Sequence, residues 1–565
     1  MTNRSTDRAK THVLTVSLED YFQVGAFNRL IQHGQWYRFE TGVERGARHT
    51  LDLLDEFGIK ATFFVSGWIA ERAPGVVREV AARGHEVASA GYHHRSIREL
   101  SPAEFKADLA RSRELLAAAS GQPIVGYRAP RGWFGPDDLW ALDVLADEGY
   151  AYDSSVGLLF RRFAAEPWRR FVHPHRVGER TLWELPPSAV TAFGWSLPIA
   201  GGNYFRQLPH GWIRRRVASW DRRQSAPFVM YFHTWELDRE QPTITGAPLL
   251  QRLRQYRNLS RMPERLRYFF DRYRFQGAAE YLGVPIAAES VPVLAEAPAA
   301  IVTAPAARPR RGRTPISIVV PCFQEEAALP YLANTLARVE ASLAEDYEVR
   351  LVFVDDASRD RTWDVLGRLF GDRHDATLVR HDRNRGIAAA IGTGLRAATT
   401  EIVCSIDCDC SYDPHELRRM VPLLTPGVDL VTASPYHPEG TVSNVPGWRL
   451  ALSRTLSVLY RLVLRQKLST YTSCFRVYRR SAAAPIEVGH GGFLGIAELL
   501  GRLDLRGSTI VEHPARLEVR VLGRSKMKIV RTIAGHLGLL AELWVERLAG
   551  PRRRLGPPAP TARSL

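Results

Sequence analysis

Cysteine is scarce in this 565-residue chain: there are five, at positions 322, 404, 408, 410 and 474, all in the second half. An odd number without framework spacing excludes a disulfide scaffold and fits a reducing compartment. Cys408-Asp409-Cys410 is not a CxxC redox pair either. Long apolar runs are missing as well. Nothing reaches 18 uninterrupted apolar residues, which excludes a spanning helix, and the polar stretch Met1–Lys10 lacks the apolar core of a signal peptide. Zinc-finger spacing, an aromatic-basic RNA-binding signature, a clear helix-turn-helix and short internal repeats are also absent, so nucleic acid is not expected as a partner. The expected location is the cytoplasm, with at most a peripheral contact at the inner face of the plasma membrane.

The chain is too long for one hydrophobic core, and two domains of about 200 to 300 residues are expected. Its 45% hydrophobic and 24% charged residues suit ordinary globular folding. A net charge of +16 points to an anionic partner, either a phosphate-bearing substrate or an anionic membrane surface. An Ala/Pro-rich stretch ends in the basic run Arg308-Pro-Arg-Arg-Gly-Arg313 and shows no periodicity. Residues 285–315 are therefore read as a linker between domains at 12–284 and 316–549, with a basic tail over 550–565.

In the second domain, β-branched runs at Ile316–Val320, Val349–Val354, Thr377–Arg380, Glu401–Ile406 and Asp429–Thr432 alternate with amphipathic stretches, the pattern of a parallel sheet covered on both faces. Ligands of such sheets sit at the carboxyl ends of the strands. Acidic residues fall there: Asp355-Asp356 follow one run and Asp407-Cys-Asp409 another. A nucleoside diphosphate is strongly anionic, so a protein that meets it with carboxylates needs a divalent cation between them, and Mg2+ or Mn2+ suits oxygen ligands.

Four segments recur in sheet order: Val319-Val-Pro-Cys-Phe-Gln-Glu-Glu326, Val354-Asp-Asp-Ala-Ser-Arg-Asp-Arg-Thr362, Asn384-Arg-Gly-Ile-Ala-Ala-Ala-Ile-Gly392 and Asp407-Cys-Asp-Cys-Ser-Tyr-Asp-Pro414. This set resembles the family 2 glycosyltransferases of the GT-A fold, a Rossmann-like domain with a mostly parallel sheet, and among them the polyprenol-phosphate glycosyltransferases. The resemblance implies a UDP- or GDP-linked sugar donor held by Pro321, Glu325, Asp355 and Asp356, with Asp407 and Asp409 at the metal. Asp356 has a second reading as an N-cap. The acceptor is a polyprenyl phosphate or a glycan. A phosphate is already an anion, whereas a sugar hydroxyl needs a general base. Arg449 and Ser453 match the family's acceptor-phosphate pattern, and although Ser434-Pro-Tyr436 lacks the arginine that the family often carries there, Arg476 and Lys526 remain available as acceptor-binding cations, with a solvated surface cation as the alternative for each. Glu498 is the candidate base, or else orients the donor or pairs with an arginine. The basic cluster Arg516, Arg520, Arg524, Lys526, Lys528 and Arg531, followed by an apolar-leaning helix, suggests membrane contact, the alternative being a terminal helix packed on its domain.

The first domain shows its own βα alternation, with strands at Val13–Val16, Ala61–Val65, Glu86–Ser89, Val125–Tyr127 and Val229–Phe232. Helices are expected at Val43–Phe57, Pro74–Arg83 and Ala103–Ala118, the last after a capping box, Ser101-Pro-Ala-Glu104. Ser17-Leu-Glu-Asp-Tyr-Phe22, Ala61-Thr-Phe-Phe-Val65, Gly84–His94, Gly126-Tyr-Arg-Ala-Pro130, Tyr152-Asp-Ser-Ser155 and Met230-Tyr-Phe-His-Thr-Trp-Glu236 together resemble the NodB-homology polysaccharide deacetylases, carbohydrate esterase family 4. The resemblance implies a deformed (β/α) barrel and a zinc site of one Asp and two His. Here Ala90 stands at the first histidine position and Ser17 at the leading acid. Asp20 or Glu19 with His94 makes two ligands, below the three usual for catalytic zinc. Arg128, Asp153 and His233 match supporting positions, with a buried Arg128–Asp153 ion pair as the structural alternative. The domain is expected to have lost or altered its hydrolytic chemistry and to bind a saccharide; the alternatives are a bifunctional chain with an active deacetylase and a carbohydrate-binding or scaffold protein with both halves inactive.

Overall fold

The computed structural model describes residues 10–157, 163, 165–192, 195–286, 312–443, 447–523 and 529–549. They form two compact units, the first mostly from the chain before residue 302 and the second mostly from the chain after it.

The first unit is built on β1 (Thr11–Leu18), β2 (Thr62–Val65), β3 (Glu86–Ser89), β4 (Gly126–Tyr127), β5 (Tyr152–Asp153), β6 (His173–Val177), β7 (Arg180–Glu184), β10 (Val229–His233) and β11 (Arg274–Gln276), while β8 (Ala189–Ala192) and β9 (Trp195–Pro198) form a separate hairpin. The main sheet runs in the order β10-β1-β2-β3-β4-β5-β7-β6, with β11 on β1, and is parallel except at β6–β7. No strand pair closes it into the expected barrel among the described residues. Single bonds instead join the chain after β7 to β10: Ser188 N donates to Val229 O at 3.2 Å and Tyr231 N to Ala200 O at 2.8 Å. β1 is buried on both faces beyond its first residue, which is why its Val-Leu-Thr-Val core lacks an alternating pattern. The expected helices form at Val43–Glu56, Pro74–Ala82 and Pro102–Ser120, and the capping box closes in both directions at Ser101 and Glu104.

The second unit contains β12 (Thr314–Cys322), β13 (Tyr347–Asp355), β14 (Ala376–Arg380), β15 (Ile402–Ser405), β16 (Leu430–Ser434), β18 (Arg476–Arg479) and β19 (Ile510–Pro514) in the order β14-β13-β12-β15-β18-β16-β19, plus a small pair of β17 (Thr441–Ser443) and β20 (Arg516–Glu518). Five of the seven strands were expected. The sheet is mostly parallel, as expected, with β18 running antiparallel between β15 and β16. Strands alternate their faces as the pleat requires. On one face Val352 and Val354 join Val319 and Val403 in a core with helices Ile387–Ala397, Gly447–Val463, Gly492–Leu505 and Ile529–Ala549. On the other, Phe353 stacks on Phe370 of helix Thr362–Phe370 with ring centres 4.2 Å apart.

The chain lays β13 and β14 to one side of β12 and then places β15 on the other. That reversal opens a crevice at the carboxyl ends of β12 and β15, the place where doubly wound sheets bind ligands. Among the described residues no helix is long and apolar enough to cross a membrane.

Candidate active site

In the second unit the ladder pairs Cys322 with Asp355 and Val319 with Ser405, so the loops after β12, β13 and β15 leave the sheet at one edge. Each loop contains one non-glycine residue in the left-handed region: Gln324 (φ 54°), Ala357 (φ 57°) and Cys410 (φ 52°). They are the only such residues among the described part of this unit. Strain of this kind persists where surrounding contacts enforce it and tends to gather at functional sites. The contacts are visible here. Gln324 N donates to Ser358 Oγ at 2.8 Å, Ser358 N to Asp355 Oδ1 at 3.1 Å, and Glu325 N to Thr362 Oγ1 at 2.8 Å.

Glu325 and Asp409 meet across the crevice through Arg520. Its Nη2 lies 2.9 Å from Glu325 Oε1 and its Nε bonds Asp409 Oδ2. The other Asp409 oxygen accepts from Ser411 N (2.9 Å) and Ser411 Oγ (2.6 Å), which fixes the carboxylate in its turn. Asp407 lies in the same turn, with the Cys474 thiol as its side-chain partner. Burial, with the Asp409 charge second, pushes its carboxyl up to about 7 against the pull of Arg520. Two hard carboxylates crowded into one turn, one of them short of compensating charge, suit a divalent cation. Among the described residues no group of three or more His, Cys, Asp or Glu side chains is arranged to hold a metal ion. Asp407 and Asp409 supply two carboxylates in one turn.

Asp355 and Asp356 hold loops in place. Asp355 is fully buried and pairs with Arg380 at 3.0 Å. Asp356 bonds His381 Nδ1 at 2.7 Å and accepts from Arg385 N (2.8 Å) and Gly386 N (2.7 Å). It is not an N-cap, since helix Thr362–Phe370 follows Arg361, and Asp360 accepts from Thr362 N. Pro321 is buried within β12.

One expectation is corrected. Arg476 is wholly buried and donates to Ile496 O and Tyr471 O, both at 2.9 Å, so it braces main chain and is not presented to an acceptor. Glu498 is also wholly buried, and of its three expected roles the structure shows the pairing with an arginine. It accepts from Gly489 N (3.0 Å) and His490 N (2.8 Å) and pairs with Arg502 at 2.7 Å. Desolvation would raise its carboxyl, but those two N–H groups, then Arg502 and the His490 ring, hold it below the ordinary value. Ser453 is half-buried on helix Gly447–Val463. Lys526 and the side chain of Arg449 lie outside the described residues. The sequence reading missed Arg520 as a site residue by grouping it with membrane-facing cations. Its position six residues before Lys526, on the strap that follows β20, was the available signal.

In the first unit the register pairs Ser17 with His233 and Val65 with Ser89, again aligning carboxyl ends. Glu19 lies between two histidines, 3.2 Å from His233 Nδ1 and 3.7 Å from His94 Nε2. Burial opposes ionisation of Glu19, yet His233 and then His94 hold its carboxyl well below the usual range. Asp20 turns elsewhere, accepting from Thr41 Oγ1 (2.6 Å), Tyr21 N (2.9 Å) and Gly42 N (3.0 Å), and burial raises it to about 6. Of the two acids expected beside His94, Glu19 is the one that lies there, while Asp20 is committed to Thr41, Tyr21 and Gly42. Ala90 is buried in an apolar cluster with Val13 and Phe64. The His93 ring packs edge-on against Tyr92 and His33. Arg128 does not ion-pair with Asp153; it donates to Thr15 Oγ1 and Ser154 Oγ at 2.8 Å, while Asp153 binds Ser155.

Residues 317–486 match the family model for glycosyl transferase family 2, residues 35–152 that for polysaccharide deacetylase, and residues 159–283 a domain of unknown function, DUF3473. The polyprenol monophosphomannose synthase of Mycolicibacterium smegmatis is 32% identical over 218 residues, covering 37% of this chain and 80% of that protein. The dolichol-phosphate mannosyltransferase of Pyrococcus furiosus is 26% identical over 215 residues, 38% of this chain and 59% of that protein. Among solved structures, glucosyl-3-phosphoglycerate synthase from Mycobacterium tuberculosis, in complex with Mn2+, UDP and glucosyl-3-phosphoglycerate, aligns at 23% identity and a TM-score of 0.31, covering 42% of this chain and 81% of that one. With 32% identity across most of one relative, and acidic loops ranged along the carboxyl edge of a doubly wound sheet, the chain belongs to the family 2 glycosyltransferases.

Proposed function

We propose that the second unit transfers a sugar from a UDP- or GDP-linked donor to a polyprenyl phosphate, in the synthesis of cell-surface glycolipid or polysaccharide. The observation that carries the acceptor is the state of Glu498. A hydroxyl acceptor needs a base to take its proton, and the carboxylate expected in that role is buried, paired and held in its weakly basic form. A phosphate acceptor needs none. The names of the two curated relatives, a polyprenol monophosphomannose synthase and a dolichol-phosphate mannosyltransferase, favour the same class.

Asp407 and Asp409 would hold Mg2+ or Mn2+. When bound, the ion offsets the negative charge that builds on the departing nucleoside diphosphate. Arg520 keeps Glu325 and Asp409 at a fixed spacing across the crevice, and Asp356 sets the course of residues 381–386 beside it. Ser453, with Arg449 and Lys526 by family resemblance, would meet the acceptor phosphate. The test is a donor screen against a polyprenyl phosphate with mass detection of product. A lipid-linked sugar supports the reading, and transfer only to free saccharide hydroxyls refutes it.

The first unit, on this reading, does not carry out zinc-assisted deacetylation, because Ala90 has no ligand atom and the Asp20 carboxylate is committed to Thr41, Tyr21 and Gly42. A saccharide-binding role is what remains for it. Acetate released from an N-acetylated glycan, and lost in His94→Ala, would refute this.

A further inference from the structure

The sheet of the first unit is left open between β10 at one edge and the β7–β6 pair at the other. At the amino ends of those strands lies a cleft of about 760 Å3, within the roughly 300 to 1,000 Å3 of small-ligand sites. Its wall includes Trp183, which pairs with Tyr152 at the start of β5, and Gln224, Ser225 and Pro227, which lead into β10. Phe171 and Tyr281 face it as well. Glu19, His94 and His233 stand at the opposite, carboxyl edge, so this cleft is separate from the cluster described above.

The three aromatic residues are half-buried. Trp183 and Tyr281 rest on the core that contains Val13 and Phe64, and Phe171 packs on Trp220 with ring centres 5.6 Å apart. Trp220 Nε1 donates to Ala226 O at 3.3 Å, which ties the lining segment to helix His210–Arg223. Rings anchored on one side and open on the other give flat apolar surface at low entropic cost. Gln224 and Ser225 set an amide and a hydroxyl beside them. A sugar presents an apolar C–H face edged with hydroxyls, and this pairing of rings with hydrogen-bonding groups suits it.

Charge at the rim narrows the class of sugar. Helix His210–Arg223 exposes Arg214, Arg215, Arg216, Arg222 and Arg223, and its one acid, Asp221, pairs with His12 at 3.2 Å. Arg223 directly precedes Gln224. Arg170 directly precedes Phe171, with its guanidinium carbon 4.7 Å from that ring centre. Against them stands Glu280, exposed on helix Ala278–Leu282. Arginine holds a carboxylate through paired N–H groups, so this excess favours an acidic saccharide over a neutral one.

We infer that the cleft binds a uronic-acid unit of a glycan, with the sugar ring on Trp183 and Phe171 and its carboxylate at Arg222 and Arg223. The inference gives a place and a charge preference to the saccharide-binding role proposed for the first unit, and rests on that reading.

The test is calorimetric titration of the full chain with short oligomers of galacturonate, mannuronate and glucuronate, each also as its uncharged methyl ester. Wild type is expected to bind at least one acid about tenfold more tightly than its ester. The double variant Arg222→Gln, Arg223→Gln should erase that preference with an unchanged thermal melt, since both side chains are exposed. Arg214→Gln, Arg215→Gln, towards the other end of the helix, should leave it within about twofold. Trp183→Leu should weaken acid and ester alike, by about tenfold. No binding of any acid, or equal binding of acid and ester, overturns the inference. So does acid binding that both arginine pairs weaken equally, as a diffuse positive surface would. Saccharide binding that ignores these variants and is lost in His94→Ala overturns it too, while upholding the saccharide-binding reading of the unit. Acid binding at the cleft, found together with acetate release that is lost in His94→Ala, upholds the cleft and refutes the proposal that the unit lacks hydrolytic activity.

Discussion

Arg520 Nη2 donates to Glu325 Oε1 at 2.9 Å while its Nε bonds Asp409, so one guanidinium ties together carboxylates from the loops after β12 and β15. A divalent cation at Asp409 must compete with that guanidinium. Arg520→Gln is therefore expected to bind Mn2+ about fivefold more tightly when no donor is present, the equivalent of ~1 kcal/mol. Titration followed by electron paramagnetic resonance checks this. Asp409→Ala should abolish the binding.

Glu498→Gln separates a base from a brace. An amide cannot accept from Gly489 N, His490 N and Arg502 together, so the variant should lose about 2–3 kcal/mol in urea denaturation. Its kcat should stay within about threefold of wild type. Because the folded state holds the Glu498 carboxyl below its ordinary value, its stabilisation is complete above the unfolded pKa and is lost as pH falls towards the folded one. The stability gap between wild type and variant should persist at neutral pH and close below about pH 4.

Gly386 has φ 88°, and a Cβ there would come within 2.6 Å of Gly492 N. Gly386→Ala should cost about 2 kcal/mol or more, since both the backbone conformation and the space oppose it. If residues 381–386 border the donor, the donor KM should rise in this variant and in Asp356→Asn. Denaturation and steady-state kinetics on the two variants together test that.

Ala90→His offers the first unit its missing ligand. The position is buried among Val13, Phe64 and Tyr152, so a larger polar side chain should destabilise by about 1–3 kcal/mol. Zinc content after dialysis, read by elemental mass spectrometry, should remain well below one per chain in both wild type and variant, because Asp20 stays committed to Thr41 and Gly42.

Most of the strands were legible because they depend on β-branched runs and on acids that follow them directly, as Asp355 follows Val354 and Asp407 follows Ile406. β18 was not, since its four residues, Arg-Val-Tyr-Arg, are too few and too polar to declare a strand wedged between two others. The acidic loops were found, but the cation between them was not. Arg520 lies 111 residues from Asp409 in the chain, and only the fold brings them together. Arg476 was misread for a related reason. A charged residue near a motif looks exposed in sequence, and nothing there shows that Arg476 spends its donors on the carbonyls of Ile496 and Tyr471.

The left-handed residues Gln324, Ala357 and Cys410 bear on any effort to make the enzyme hardier. Glycine at any of the three would relieve local strain, and a screen for heat resistance would be drawn to those substitutions. Each would also slacken a loop that carries Glu325, Asp356 or Asp409. Thermal tolerance gained at these positions should be accompanied by lost turnover, so a search for durable variants is better directed to the outer surface of the sheet's helices.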